Sequence, residues 1–212
     1  MVITIVIISL LFSCASTQRK QGESRDADFY ISRGLAYAEK GEFDEAISDY
    51  NKALQINPWL AQAYGNRGLA YVDKGQFDQA ISDYTKALEI NPRLVQAYYN
   101  RGNIYYQEGQ FDQAISDYTK VLEINPRLAQ AYYNRGNTYS QKGQYDQAIS
   151  DYAKALEVNP RYAGAYYSRG VSYYFKKEYD KSWDDIKKAQ DLGYQVHPEF
   201  LDDLRKASGR QQ

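Results

Sequence analysis

The chain has 212 residues, with 26 Lys and Arg against 27 Asp and Glu, a formal net charge of −1, one His and one Cys. Charge this evenly balanced provides neither a basic surface for nucleic acid nor an acidic tail, so no nucleic-acid partner is expected. Single His and Cys residues exclude His/Cys catalytic pairs, His-based metal clusters and an intramolecular disulfide by count.

The first thirteen residues differ in composition from the rest. Val2 to Leu11 is apolar apart from Thr4 and Ser9, and no charged side chain precedes Arg19. The run is shorter than the ~17–25 residues of a membrane-spanning helix and fits the hydrophobic region of a secretory signal peptide. Its end, Leu11-Phe12-Ser13-Cys14, resembles the bacterial lipobox, although Phe12 is larger than the usual residue and no Lys or Arg lies near Met1. The resemblance implies a signal peptide over 1–13 and acylation of Cys14 by chains such as palmitate. The mature protein would then be lipid-anchored in a bacterial cell envelope, facing the periplasm from the outer membrane in a diderm cell. Without a functional leader, the expectation becomes periplasmic or cytoplasmic. Residues 14–26 read as the modified cysteine and a polar tether, roughly 20 Å long if flexible.

From Ala27 the chain repeats with a period of 34 residues, in copies 27–60, 61–94, 95–128, 129–162 and a degenerate 163–196, with 197–212 as a remainder. A fixed period in this range indicates stacked copies of one supersecondary unit. Within the third copy, Tyr98, Arg101, Gly102 and Tyr105 share one side of a first helix, and Phe111, Ala114, Ile115, Tyr118 and Leu122 form the buried stripe of a second. The second helix is expected to open at a repeating aspartate (Asp44, Asp78, Asp112, Asp146, Asp180), whose carboxylate can cap backbone N–H groups. Pro58, Pro92, Pro126 and Pro160 stop it. Only a Gly-centred turn such as Gly109-Gln110 joins the two, so each copy is an antiparallel helical hairpin. A glycine inside the first helix (Gly34, Gly68, Gly102, Gly136, Gly170) costs roughly 1 kcal/mol against alanine. The expected return is close helix contact, with Ala46, Ala80, Ala114 and Ala148 opposite. After the copies, Pro198 suits a first helical turn, and Phe200, Leu201, Leu204 and Ala207 form one face of a capping helix that stops at Gly209.

Tyrosine at the fourth position, glycine at the eighth, tyrosine at the eleventh, alanine at the twentieth, an aromatic at the twenty-fourth and proline at the thirty-second resemble the tetratricopeptide repeat. Departures are confined to the last copy: Lys177 for glycine, Ser182 for alanine, Ile186 for the aromatic and Gly193-Tyr194 for Asn-Pro. The resemblance implies an all-α, right-handed superhelix of five helix-turn-helix repeats plus a C-terminal capping helix.

Two rows run through all five copies: Arg33, Arg67, Arg101, Arg135 and Arg169, and Asp49, Asp83, Asp117, Asp151 and Asp185. The arginines fall on the packed side, which favours Arg–carboxylate contacts between helices over an anion-binding ladder. On the opposite face of the first helix stand Asn66, Asn100, Asn134, Asn103, Asn137, Gln107, Gln141, Tyr99, Tyr106, Tyr133, Tyr167 and Tyr174. The family resemblance places these positions in the concave groove that receives peptides. None of the groove positions is Lys or Arg, which argues against a cationic clamp on a C-terminal carboxylate. Amides in a row suit a peptide backbone instead. The tyrosines either touch ligand or pack on the next hairpin. Carboxylates that recur with the period are structural by expectation, so the chain is read as no enzyme, with no cofactor, no metal and no small-molecule substrate. The resulting expectation is a non-catalytic interaction scaffold or adaptor of the cell envelope, holding an extended peptide or loop in the groove and the membrane through Cys14. Alternatives are a non-catalytic subunit of an envelope enzyme complex and an assembly factor for a pilus or outer-membrane complex.

Overall fold

The computed structural model describes residues 26–210; the leader, Cys14 and the tether as far as Arg25 lie outside the described residues. Helix α1 covers 26–39, so Asp26 already belongs to the first hairpin rather than to the tether. There follow α2 (Phe43–Ile56), α3 (Ala61–Asp73), α4 (Phe77–Ile90), α5 (Val95–Gln107), α6 (Phe111–Ile124), α7 (Ala129–Gln141), α8 (Tyr145–Val158), α9 (Ala163–Phe175), α10 (Tyr179–Asp191) and α11 (Pro198–Ser208). The described residues are all-α, with no strand. They form two compact units, one ending at Ala97 and the other beginning at Tyr98 within α5. In the first, α2 packs on α3 and α3 on α4; in the second, consecutive helices pack from α6 to α11, and α7 also meets α9.

Turn chemistry fixes the hairpins. Gly109 has φ 72° and donates to the Tyr106 carbonyl, while Gln110 donates to that of Tyr105. This pair of bonds caps the C-terminus of α5 and requires the left-handed region, which glycine enters without steric cost. Lys177 takes the same place in the fifth hairpin with φ 61° and keeps the bonds, to Tyr174 and Tyr173. At the far end of each second helix, Asn57, Asn91, Asn125 and Asn159 accept with Oδ1 from the backbone N–H two residues on, folding the side chain over the proline. Where Gly193-Tyr194 replaces Asn-Pro, Tyr194 donates to the Ala189 carbonyl instead, and the chain turns towards α11.

The repeating aspartate does not open the second helix as expected. Each such helix starts one residue earlier, at an aromatic, and its N-cap (Glu42, Gln76, Gln110, Gln144 or Glu178) makes no side-chain capping bond. Asp44, Asp112 and Asp146 instead bind Lys74, Lys142 and Lys176 at the end of the next hairpin's first helix, and Asp180 binds Arg210. These carboxylates still lie in the first turn, where the helix dipole favours them.

The glycine is explained by a different neighbour than alanine. A Cβ on Gly34, Gly68, Gly102 or Gly136 would stand 2.7, 3.0, 3.0 or 2.8 Å from the ring of Tyr50, Tyr84, Tyr118 or Tyr152. The facing tyrosine lies flat against bare backbone and is 1% exposed in each hairpin. In the degenerate copy the thinner Ile186 sits over Gly170, and Ser182 donates to the Gly170 carbonyl at 2.8 Å. The second unit closes on α11, where Leu204 is fully buried, Phe200 meets Tyr167 and Tyr174 edge-on, and Trp183 Nε1 donates to Ser208 at 3.1 Å.

Candidate peptide-binding face

Behind the face, every hairpin carries an Arg–Asp strut. Arg101 Nε and Nη2 each donate to Asp117 at 2.8 Å, and the two-pronged arrangement recurs in Arg33–Asp49, Arg67–Asp83, Arg135–Asp151 and Arg169–Asp185. The aspartates are buried, so a guanidinium that matches both carboxylate oxygens is what makes their charge tolerable. Burial is the largest single influence on the Arg101 charge and opposes it, but the hydrogen bonds to Asp117 together with the Coulombic attraction of that carboxylate and of Tyr105 and Tyr98 leave its pKa raised. The Arg33 bonds hold the Asp49 carboxyl below its ordinary range. A spare nitrogen reaches back one hairpin: Arg67 Nη1 to Asn51, and Arg135 Nη1 to Thr119 Oγ1 at 2.9 Å. These arginines are occupied on the packed side and unavailable to a ligand.

On the opposite side of the second unit, the amides are tied to tyrosines. Tyr118 Oη donates to Asn103 Oδ1 at 2.8 Å and Tyr152 Oη to Asn137 Oδ1 at 2.7 Å. Asn134 Nδ2 donates to Tyr99 Oη and to Asn103 Oδ1, both at 3.1 Å, and its Oδ1 accepts from Gln130 Nε2 at 2.9 Å. Tyr162 Oη donates to Gln130 Oε1 at 2.5 Å. Asn134 therefore has a packing role of its own, spanning α5 and α7.

Two adjoining open depressions follow from this arrangement. One, of about 300 Å³, is lined by Asn103, Tyr106, Gln107, Tyr118, Asn134 and Asn137. The other, of about 280 Å³, is lined by Tyr106, Asn137, Ser140, Gln141, Tyr152, Tyr167, Ser168 and Val171. No Asp, Glu, Lys or Arg lines either. Tyr106 on α5, Asn137 on α7 and Tyr167 on α9 all line the second depression.

Models of known families match this pattern: three successive spans described as TPR repeat cover 34–75, 68–109 and 102–143, and one described as tetratricopeptide repeat covers 129–162. The chain is a tetratricopeptide-repeat protein. Among solved structures it is similar to MamA, at 30% identity over 75% of this chain and 93% of that one, with TM-score 0.73. A second MamA structure shares 28% identity over 84% of this chain and 100% of that one, with TM-score 0.76. YrrB, described as a TPR protein with an unusual peptide-binding site, shares 26% identity over 92% of this chain and 97% of that one, with TM-score 0.74. No match was found among curated proteins. Tetratricopeptide-repeat proteins act as interaction scaffolds that bind protein or peptide partners.

Within this frame, the predicted groove residues divide by role. Tyr106, Gln107 and Gln141 line the depressions, with both glutamines exposed at the rim. Tyr99 and Tyr133 are half-buried and pack on Tyr118 and Tyr152 of their own hairpins, at centroid distances of 6.1 and 5.9 Å. Asn100 is half-buried, and Asn66, in the first unit, has a buried Nδ2 with no hydrogen-bond partner. Gly65 stands where Tyr99 and Tyr133 stand in the later copies, so the first unit has no tyrosine there. The sequence reasoning overlooked Leu35 and Leu69, which replace the asparagine of the ninth position in the first two copies and are 39% and 48% exposed. The signal was present: a leucine where the period demands a groove residue. Among the described residues no three His, Cys, Asp or Glu are grouped to hold a metal, and no helix is long and apolar enough to cross a membrane.

Proposed function

We propose that this protein is a non-catalytic scaffold that holds an extended segment of a partner protein along the first-helix face of α5, α7 and α9. The observation that carries the proposal is the pair of adjoining, uncharged depressions there, open to solvent and floored by tyrosines whose positions the hairpin fixes. The peptide-binding description of YrrB, similar in fold and at 26% identity, supports a peptide as the occupant. Aromatic rings supply contact area at low entropic cost, and amides supply polar fixing points.

The scaffold's place is proposed from the leader. The apolar run Val2 to Leu11 followed by Leu11-Phe12-Ser13-Cys14 supports acylation of Cys14 and a bacterial envelope location. Replacing Cys14 by Ser is expected to abolish incorporation of labelled fatty acid; persistent labelling overturns the anchor. For the face itself, a photo-crosslinking residue at Gln107 or Gln141 should capture a partner from detergent-solubilised membranes, and one at the exposed Gln113 on α6 should not. Capture from Gln113 alone overturns the assignment.

A further inference from the structure

We infer that the end of the first hairpin where the chain enters docks on the surface of a phospholipid bilayer, with the rings of Trp59 and Phe29 in the headgroup region; this rests on the acylation of Cys14 proposed above. Both rings break the pattern of the repeat. Trp59 follows the helix-stopping Pro58, where Arg93, Arg127 and Arg161 stand in the next three copies. The backbone does not call for an indole there, because all four residues donate their N–H to the preceding asparagine in the same way, at 3.0–3.2 Å. The indole is 72% exposed, the most open of the large apolar side chains, and among the described residues no ring or cation packs on it.

Phe29 takes the third position of its copy, which is alanine in the other four. Ala63, Ala97, Ala131 and Ala165 are all buried, and Ala63 shares a core cluster with Ala53 and Leu54 of the preceding second helix. Helix α1 has no described hairpin before it, so Phe29 is 56% exposed on the open side of the first unit. Tyr30 meets the ring edge-on and the Arg33 guanidinium lies 5.1 Å from its centroid, which holds it in place without covering it. Terminal repeats ordinarily present a polar outer face. A phenylalanine there needs something to cover it.

Topology brings the two rings and the anchor to one end. Ala27 and Ile31, on either side of Phe29, belong to the cluster that holds Ala53 and Leu54 near the end of α2; Ile56 and Leu60, on either side of Trp59, pack against it. Asp26 opens the same turn of α1 as Phe29. Even fully extended, residues 15–25 reach no more than about 40 Å from Cys14, so an acyl chain there keeps this end of the hairpin beside the bilayer. A tether of that length gives an effective concentration on the order of mM, at which contacts too weak to hold a free protein are populated.

The chemistry of this end selects the lipid interface. Tryptophan joins an apolar body to one N–H that stays wet, the combination enriched at membrane–water boundaries. Charge does not supply the contact. The turn after α4 lies at this end too, since α2, α3 and α4 alternate in direction, and it brings Arg93. Against it stand the exposed Asp26 and Asp28, while Lys52 and Lys86 are paired to Asp49 and Glu89. Without a cationic excess, anionic headgroups are not required and zwitterionic lipid suffices.

The test uses the full, acylated chain carrying Trp183→Phe, which leaves Trp59 as the one indole, in phosphatidylcholine vesicles with plain or brominated acyl chains. Brominated lipid is expected to lower Trp59 emission at least twofold, whether or not anionic phosphatidylglycerol is added. If Trp183→Phe misfolds, Trp59→Arg in the otherwise native chain should remove the bromine quenching that the native chain shows. Phe29→Ala should reduce the quenching at least twofold; an undiminished signal overturns the two-ring contact. Protein that floats with the vesicles but emits equally in both lipids overturns the docking and leaves the anchor standing. A chain without labelled fatty acid overturns the anchor and, with it, this inference. A blue-shifted Trp59 that bromine does not quench, in protein that sediments as a dimer or is equally shifted without vesicles, assigns the rings to a second copy or to residues 1–25 and overturns the membrane contact.

Discussion

The ring of Tyr152 lies where a side chain on Gly136 would begin, with Cε1 only 2.8 Å from the position of a Cβ. Alanine normally improves a helix by about 1 kcal/mol over glycine. Here it meets a ring that is 1% exposed and has no room to withdraw. Gly136→Ala is therefore expected to destabilise by about 1–3 kcal/mol, the usual cost of overpacking. Urea denaturation measures it; a midpoint raised by the substitution contradicts the packing account.

The Arg–Asp struts make the opposite kind of prediction, in which removal is costly. Asp117 is 4% exposed and paired to Arg101 through both oxygens. Arg101→Ala leaves that carboxylate buried without its partner, at an expected cost of about 2–4 kcal/mol. The exposed pair Lys120–Glu123 is the control, and Lys120→Ala should leave the midpoint nearly unchanged. An Arg101→Ala protein of native stability that no longer binds its partner would make the arginine a ligand residue instead.

Asn134 tests whether its amide is structural. Alanine at this site removes bonds to Tyr99, Asn103 and Gln130. Despite its better helix propensity, Asn134→Ala should cost about 1–2 kcal/mol and also weaken peptide binding, because Asn103 loses a partner that orients it. Increased stability would mean that the asparagine is kept for the ligand alone.

The buried tyrosines set a limit on alkaline stability. Burial pushes the Tyr50 and Tyr162 hydroxyls up to about 12, and those of Tyr118 and Tyr152 rise for the same first reason. A tyrosine whose folded pKa exceeds its unfolded value of about 10 holds its proton more firmly in the native state. Its contribution is complete below pH ~10 and is lost as pH rises from there through ~12. The denaturation midpoint should fall across that window, and Tyr50→Phe, which keeps the ring against Gly34, should flatten the fall. An unchanged slope in the variant would show that Tyr50 is not among the groups responsible.

The sequence by itself determined the number of hairpins, where the second helices stop and the capping helix, because these follow from local physics. Apolar residues spaced at helical intervals mark the faces, Pro58 and its repeats mark where helices stop, and Gly41 and its repeats mark where the chain turns left-handed. The position of Asn103 and Asn137 on the face opposite Tyr98 and Tyr105 was legible for the same reason. What only the tertiary structure decided is which atoms face one another across hairpins. Asp44 meets Lys74, thirty residues on, instead of capping its own helix. Gly136 meets Tyr152 instead of Ala148. Asn134 reaches Tyr99 and Asn103 on the preceding hairpin, which turns an apparent row of amides into a bonded network. Helical periodicity assigns a residue to a face, but its partner depends on the offset and crossing of stacked helices. That is set by how the side chains interlock, and no pattern within one copy contains it.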